Sequence, residues 1–134
     1  MASFDFEASL TEPDQLLFTV IFNHTEYSLD LSLDPKKFQF EFDGDETQTI
    51  KFRMANKLPN STVVDSLGNF IKNPMIKISN IQLEGFNIDY WIQKNNVYRI
   101  DNRTESFCEY MGCNGEVEFT IQAPSWQWLL ENIS

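Results

Sequence analysis

Lys37-Phe38-Gln39-Phe40-Glu41-Phe42 alternates apolar and polar side chains residue by residue. A period of two sorts side chains onto the two faces of a pleated strand, and no helix sorts them that way. The same period recurs on either side of this stretch. Tyr27, Leu29, Leu31 and Leu33 oppose Glu26, Ser28, Asp30 and Ser32, and Val117, Phe119 and Ile121 oppose Glu116, Glu118 and Thr120. Such segments read as half-buried antiparallel strands. Strands are expected over residues 15–22, 25–33, 37–42, 49–54, 61–65, 74–83, 86–92, 97–100, 107–112 and 116–122, with brief turns between them. The expected fold class is therefore all-β, an antiparallel β-sandwich or jelly roll. Residues 1–14 are expected to form an N-terminal arm or edge segment, and 15–134 a single sandwich domain.

Bulk properties agree with that reading. A chain of 134 residues has the size of one domain, and 42% hydrophobic residues with 12 phenylalanines can fill a core without disulfides or metals. The net charge of −10 repels phosphate backbones and anionic lipid, so neither nucleic acid nor membrane is an expected partner. Basic protein patches, neutral glycans and cations remain. The first fourteen residues, MASFDFEASLTEPD, have neither a basic nor an apolar region, so no signal peptide is expected. No apolar run could span a bilayer. The Asn-x-Ser/Thr triplets at Asn23, Asn60, Asn102 and Asn132 are what a chain rich in these residues produces by chance.

Parity arguments place the turns. A two-residue turn at Asn114-Gly115 would set Tyr110 opposite Phe119 and Cys108 opposite Ile121, apolar against apolar. After residues 37–42, a longer loop over 43–47 would pair Phe40 with Ile50 and Phe38 with Phe52. In 74–83 the apolar set changes parity between Ile78 and Ile81, which a bulge near Ser79-Asn80 would reconcile. Pro124 stops the last strand, and Ser125 is the expected N-cap of a short C-terminal helix whose apolar face is Trp126, Leu129, Leu130 and Ile133.

Catalytic chemistry is sparse. His24 is the sole histidine and falls in a turn; no nucleophile elbow, phosphate loop, HExxH or CxxC pair occurs. The chain is not expected to be an enzyme. A small carboxylate-dependent glycoside hydrolase is a distant third reading. Cys108 and Cys113 have opposite strand parity, which opposes a disulfide and assigns Cys108 to the core.

Two surface features carry the functional reading. Asp43, Asp45 and Glu46 gather three carboxylates on one loop, a possible calcium site if any cofactor is bound at all. Trp91 shares a polar strand face with Asn87, Asp89 and Gln93, and Trp128 lies off the apolar face of the final helix. A large aromatic on a polar face is either covered by another element or offered to a protein or a sugar ring.

The strand pattern with the Asp43–Glu46 loop and the off-face Trp91 resembles calcium-assisted, jelly-roll carbohydrate-binding modules, which implies non-catalytic glycan recognition. The segments Leu67-Gly68-Asn69-Phe70-Ile71, Gly112-Cys113-Asn114-Gly115 and Pro124-Ser125-Trp126-Gln127-Trp128-Leu129-Leu130-Glu131 resemble small β-sandwich proteins of bacteriophage genomes, which implies a virion structural or decoration role. The expected function is a non-enzymatic binding or assembly module acting through a protein partner or self-association. A carbohydrate-binding module is the alternative. Trp91, Asn87, Asp89 and Trp128 are the candidate contact residues.

Overall fold

The computed structural model describes residues 1–133 as an antiparallel β-sandwich with a short C-terminal helix. Five strands precede the first long excursion: β1 (Ala2–Leu10), β2 (Leu17–Phe22), β3 (Thr25–Leu29), β4 (Lys36–Phe42) and β5 (Gln48–Ala55). A small hairpin follows, β6 (Val63–Val64) and β7 (Phe70–Lys72), then β8 (Ile76–Leu83), β9 (Phe86–Asn87) and helix α1 (Asp89–Asn95). The chain ends with β10 (Val97–Ile100), β11 (Arg103–Ser106), β12 (Tyr110–Met111), β13 (Gly115–Ile121) and helix α2 (Ser125–Asn132). One sheet has the order β12-β8-β1-β4, with β9 also on β8; the other runs β11-β10-β13-β5-β2-β3.

Phenylalanine fills the space between the sheets. Phe52 of the second sheet meets Phe6 of the first at 5.1 Å between ring centroids and Phe119 of its own sheet at 5.6 Å. Phe4 meets Phe22 at 5.6 Å, near perpendicular. Tilted and edge-to-face rings of this kind add to the area they bury.

The first fourteen residues depart from expectation. β1 lies inside its sheet between β8 and β4, and Phe4 and Phe6 are fully buried. Ala2, Phe4, Phe6, Ala8 and Leu10 alternate with Ser3, Asp5, Glu7 and Ser9, a period of two that the acidic residues obscure. Conversely, residues 25–33 do not form one long half-buried strand: β3 stops at Leu29 on the sheet edge, with Tyr27 and Leu33 exposed.

Neither expected hairpin forms. β4 pairs with β1 while β5 pairs with β2 and β13, so residues 43–47 cross from one sheet to the other. β12 pairs with β8, and β13 with β5 and β10, so Asn114-Gly115 is a second crossing. Parity cannot separate these cases, because two strands that turn apolar faces to one core do so equally from the same sheet or from opposite sheets. Gly115 instead lets β10 come close: a Cβ there would collide with the Arg99 carbonyl. The Asn114 amide bonds the backbone N–H and carbonyl of Lys57, at 2.9 and 3.0 Å. Phe107 and Met111, not Cys108 and Tyr110, face the core; both cysteines are free thiols, and Cys108 is exposed.

The bulge is where the parity change places it. β1 pairs Glu7 with Ser79 and Asp5 with Gln82, so Asn80 and Ile81 oppose one residue, and Asn80 takes φ +51°. Among the described residues no helix is long and apolar enough to cross a membrane.

Candidate functional site

Residues 86–92 were expected as one strand, but β9 ends at Asn87 and α1 begins at Asp89. Ile88 and Ile92 are buried, four residues apart on one helical face, while Phe86 and Tyr90 are exposed. Asp89 fixes this corner. Its two carboxylate oxygens accept hydrogen bonds from the Ile81 and Asn80 amides at 2.7 and 3.1 Å, satisfying the donors of the bulge. The Asn87 amide bonds the Asp89 backbone N–H and reaches Asn80 and Asp89 with its nitrogen. Asn87 and Asp89 therefore hold the start of α1 in place.

The helix carries Trp91 to α2. Its indole meets that of Trp128 at 4.6 Å and 79°. Trp128 is only 6% exposed, whereas Trp91 is half-buried. α2 is also rotated from the expected orientation: Ser125, Trp128 and Leu129 are buried, and Trp126 and Leu130 are exposed. Ser125 makes no N-cap bond; the flanking residue is Pro124.

Two open depressions flank Trp91. One, of about 410 Å³, is lined by Trp91, Thr120, Gln122, Gln127, Trp128 and Glu131 among others. The other, of about 400 Å³, is lined by Asn87, Tyr90, Trp91, Lys94, Asn95 and Glu131 among others. Asn132 lines both. Gln127 donates to Glu131 Oε1 at 2.9 Å, and Lys94 lies 5.7 Å from the Tyr90 ring centroid. Among the described residues the Gln122 side chain, the Tyr90 hydroxyl and Glu131 Oε2 have no hydrogen-bond partner and remain open to a ligand. Of the four expected contact residues, three (Asn87, Trp91 and Trp128) line these depressions. Tyr90, Lys94, Gln122, Gln127 and Glu131 were not singled out from sequence. A helical period over 89–95 would have set Tyr90 and Lys94 beside Trp91 and Asn95, whereas Gln122 follows β13 and Gln127 and Glu131 lie on α2, outside that segment.

The acidic loop adjoins the first depression through Ala123 and Ser125, the former bonded to Thr47 Oγ1 at 3.0 Å. Gly44 accepts a hydrogen bond from the Ser125 amide at 2.8 Å, and Asp43 Oδ1 accepts one from the Asp45 amide at 2.9 Å. Calcium asks for six to eight oxygen ligands. Among the described residues no three His, Cys, Asp or Glu side chains gather to hold a metal ion. Among the described residues, Asp43, Asp45 and Glu46 do not converge into a carboxylate-built calcium cage.

Other surfaces are less suited to recognition. All three arginines line a cleft of about 670 Å³ at the β10–β11 end, but Arg53 is paired with Glu116 and Glu26, and Arg103 with Glu105. Glu84, Phe86, Trp126, Leu129, Leu130 and Ile133 line an apolar groove beside α2.

No family model matches the sequence, and no curated protein matches it. Two solved structures share the fold. One is vCBM60, from work describing circular permutation as an evolutionary link between two families of calcium-dependent carbohydrate-binding modules; it is 13% identical, with TM-score 0.59 over 89% of this chain and 90% of that one. The other is vCBM60 in complex with galactobiose, 15% identical, with TM-score 0.57 over 87% of this chain and 96% of that one. The likeness to phage proteins has no counterpart in these comparisons. At such identities the likeness shows the fold alone: the chain is built on a β-sandwich that calcium-dependent carbohydrate-binding modules also use.

Proposed function

We propose that this chain is a non-catalytic carbohydrate-binding module whose ligand contacts are centred on Trp91. The observation that carries the proposal is the half-buried indole set between two open, polar-lined depressions. An aromatic face offers apolar contact to the C–H side of a sugar ring, and amides, hydroxyls and a carboxylate around it bond the hydroxyl edge. Gln122, Tyr90 and Glu131 supply those groups, and the Lys94 ammonium adds a further donor. Trp128 fixes the tilt of Trp91 from beneath, and Asp89 fixes the helix that carries it. The shared fold with vCBM60 supports the reading, and the galactobiose bound by that protein makes galactose oligosaccharides the first probes.

A protein partner or self-association is the second reading, favoured by Phe86, Trp126 and Leu130, all about 60% exposed around one apolar groove. A glycan array followed by calorimetric titration separates the two. The wild-type chain binds a glycan series, and Trp91→Ala weakens that binding by about 2 kcal/mol or more, as expected of a hot spot. Trp91→Phe, which keeps an aromatic ring against Trp128, weakens it less and preserves the fold. A chain that binds no glycan but sediments as a concentration-dependent oligomer overturns the proposal in favour of the second reading.

A further inference from the structure

We infer that the glycan lies across Trp91 and occupies both depressions, so that the module reads an internal stretch of a saccharide chain and not its end. The inference rests on the glycan reading above and specifies its ligand.

Three observations support it. The two depressions are nearly equal, about 410 and 400 Å³, and both open to solvent. They are contiguous, because Trp91, Glu131 and Asn132 line both. Each also has polar groups of its own that no other described residue engages by hydrogen bond: Gln122 on one side, the Tyr90 hydroxyl on the other. A ligand confined to one side would leave the other half of this surface unused. A ligand that crosses the indole gains the second set of contacts intramolecularly, at high effective concentration and without a second cost of association. Recognition of a chain end requires a group that blocks further residues. The boundary the depressions share is formed by Trp91, Glu131 and Asn132, whose indole, carboxylate and amide a sugar ring can lie against, so a saccharide can continue past it in both directions.

The test is a titration series with galactose, galactobiose and galactotetraose, repeated with the xylose and glucose β-1,4 series. Affinity should rise by at least about tenfold from the monosaccharide to the tetraose, the factor that 1.4 kcal/mol carries. Capping both ends of the tetraose should leave its affinity within a factor of about two. Gln122→Ala and Tyr90→Ala alter exposed residues on opposite sides, and each should weaken tetraose binding several-fold. Equal affinity for monosaccharide and tetraose, loss of binding on capping, or indifference to both variants overturns this inference while leaving glycan binding in place. No binding of any series by a folded chain overturns both.

Discussion

Tyr98 is buried in β10, and its hydroxyl donates to the Cys113 carbonyl where β12 leads into β13. Burial, with lesser effects from Cys113 and Glu105, pushes its phenol well above the usual value, because the charged form would lose its hydration. The sign of the linkage follows. The stabilisation from Tyr98 is complete below tyrosine's ordinary value of about 10 and is lost as pH rises above it, since the unfolded chain ionises first. Tyr98→Phe should therefore cost about 1 kcal/mol at pH 7, the worth of one hydrogen bond. At pH 11 the gap should close or reverse, because the variant has no phenol to ionise. Urea midpoints at the two pH values measure it; a gap that stays constant would mean the phenol is not held neutral by the fold. Single residues elsewhere show the same dependence on surroundings. Asp89, a carboxylate suited on paper to a ligand, is occupied by the two amides of the bulge. Trp91 and Trp128 each supply the partner the other lacks in sequence.

One side chain closes the turn of the β6–β7 hairpin. Asp65 Oδ1 accepts the amides of Leu67 and Asn69, both at 2.9 Å, and these bonds hold its carboxyl below the usual range. The apolar side chains around it, Val64, Leu67, Phe70 and Ile71, are exposed, so core burial cannot hold this two-stranded unit together. Asp65→Ala should speed amide exchange across 63–72 while leaving β1, β5 and β13 protected. Lowering the pH should do the same to the wild type, since a depressed carboxylate stabilises above its unfolded pKa and loses that effect as pH falls through its folded one. Equal protection of the hairpin in the variant would assign its order to other contacts. Elements of this kind also show what sequence can and cannot reveal. Strands β5 and β13 were legible because in each a buried face alternates with a less buried one. The bulge was legible because Ile78 and Ile81 break parity. Sheet membership was not, since Phe40 and Ile50 point into the same core whether their strands pair or face each other. α1 was not either: Ile88 and Ile92 sit on one side with a period of two or of 3.6, and the two readings differ at Tyr90, which the first sets beside them, and at Trp91, which the second does. The depressions beside Trp91 depended on that assignment, so most of their lining was hidden with it.

At the scale of the whole molecule, charge and fold point in different directions. A net charge of −10 favours a bound cation in general, and the sandwich is one that calcium-dependent modules share. Affinity for calcium, however, comes from several oxygens arranged around one point, and among the described residues no three acidic side chains converge in that way. Lys37 pairs with Asp5, Lys51 with Glu118, Arg53 with Glu116 and Glu26, and Lys72 with Asp14. Each such carboxylate already has a cationic neighbour. A site occupied at one hundred times its Kd would stabilise the native state by about 2.7 kcal/mol, and for a domain of this size that raises the melting temperature by roughly 10 °C. We expect millimolar calcium to leave the melting temperature within about 1 °C of its value in EDTA, a difference that under this relation means no specific site. Glycan affinity should likewise be the same in calcium and EDTA, because Trp91 and the polar groups beside it belong to no carboxylate cluster. A calcium-dependent rise that Asp45→Asn removes would instead place a metal on the Asp43–Glu46 loop. If glycan binding rose with it, recognition would extend from the Trp91 surface past Ala123 and Ser125 to that loop, and the metal would take part in holding the glycan.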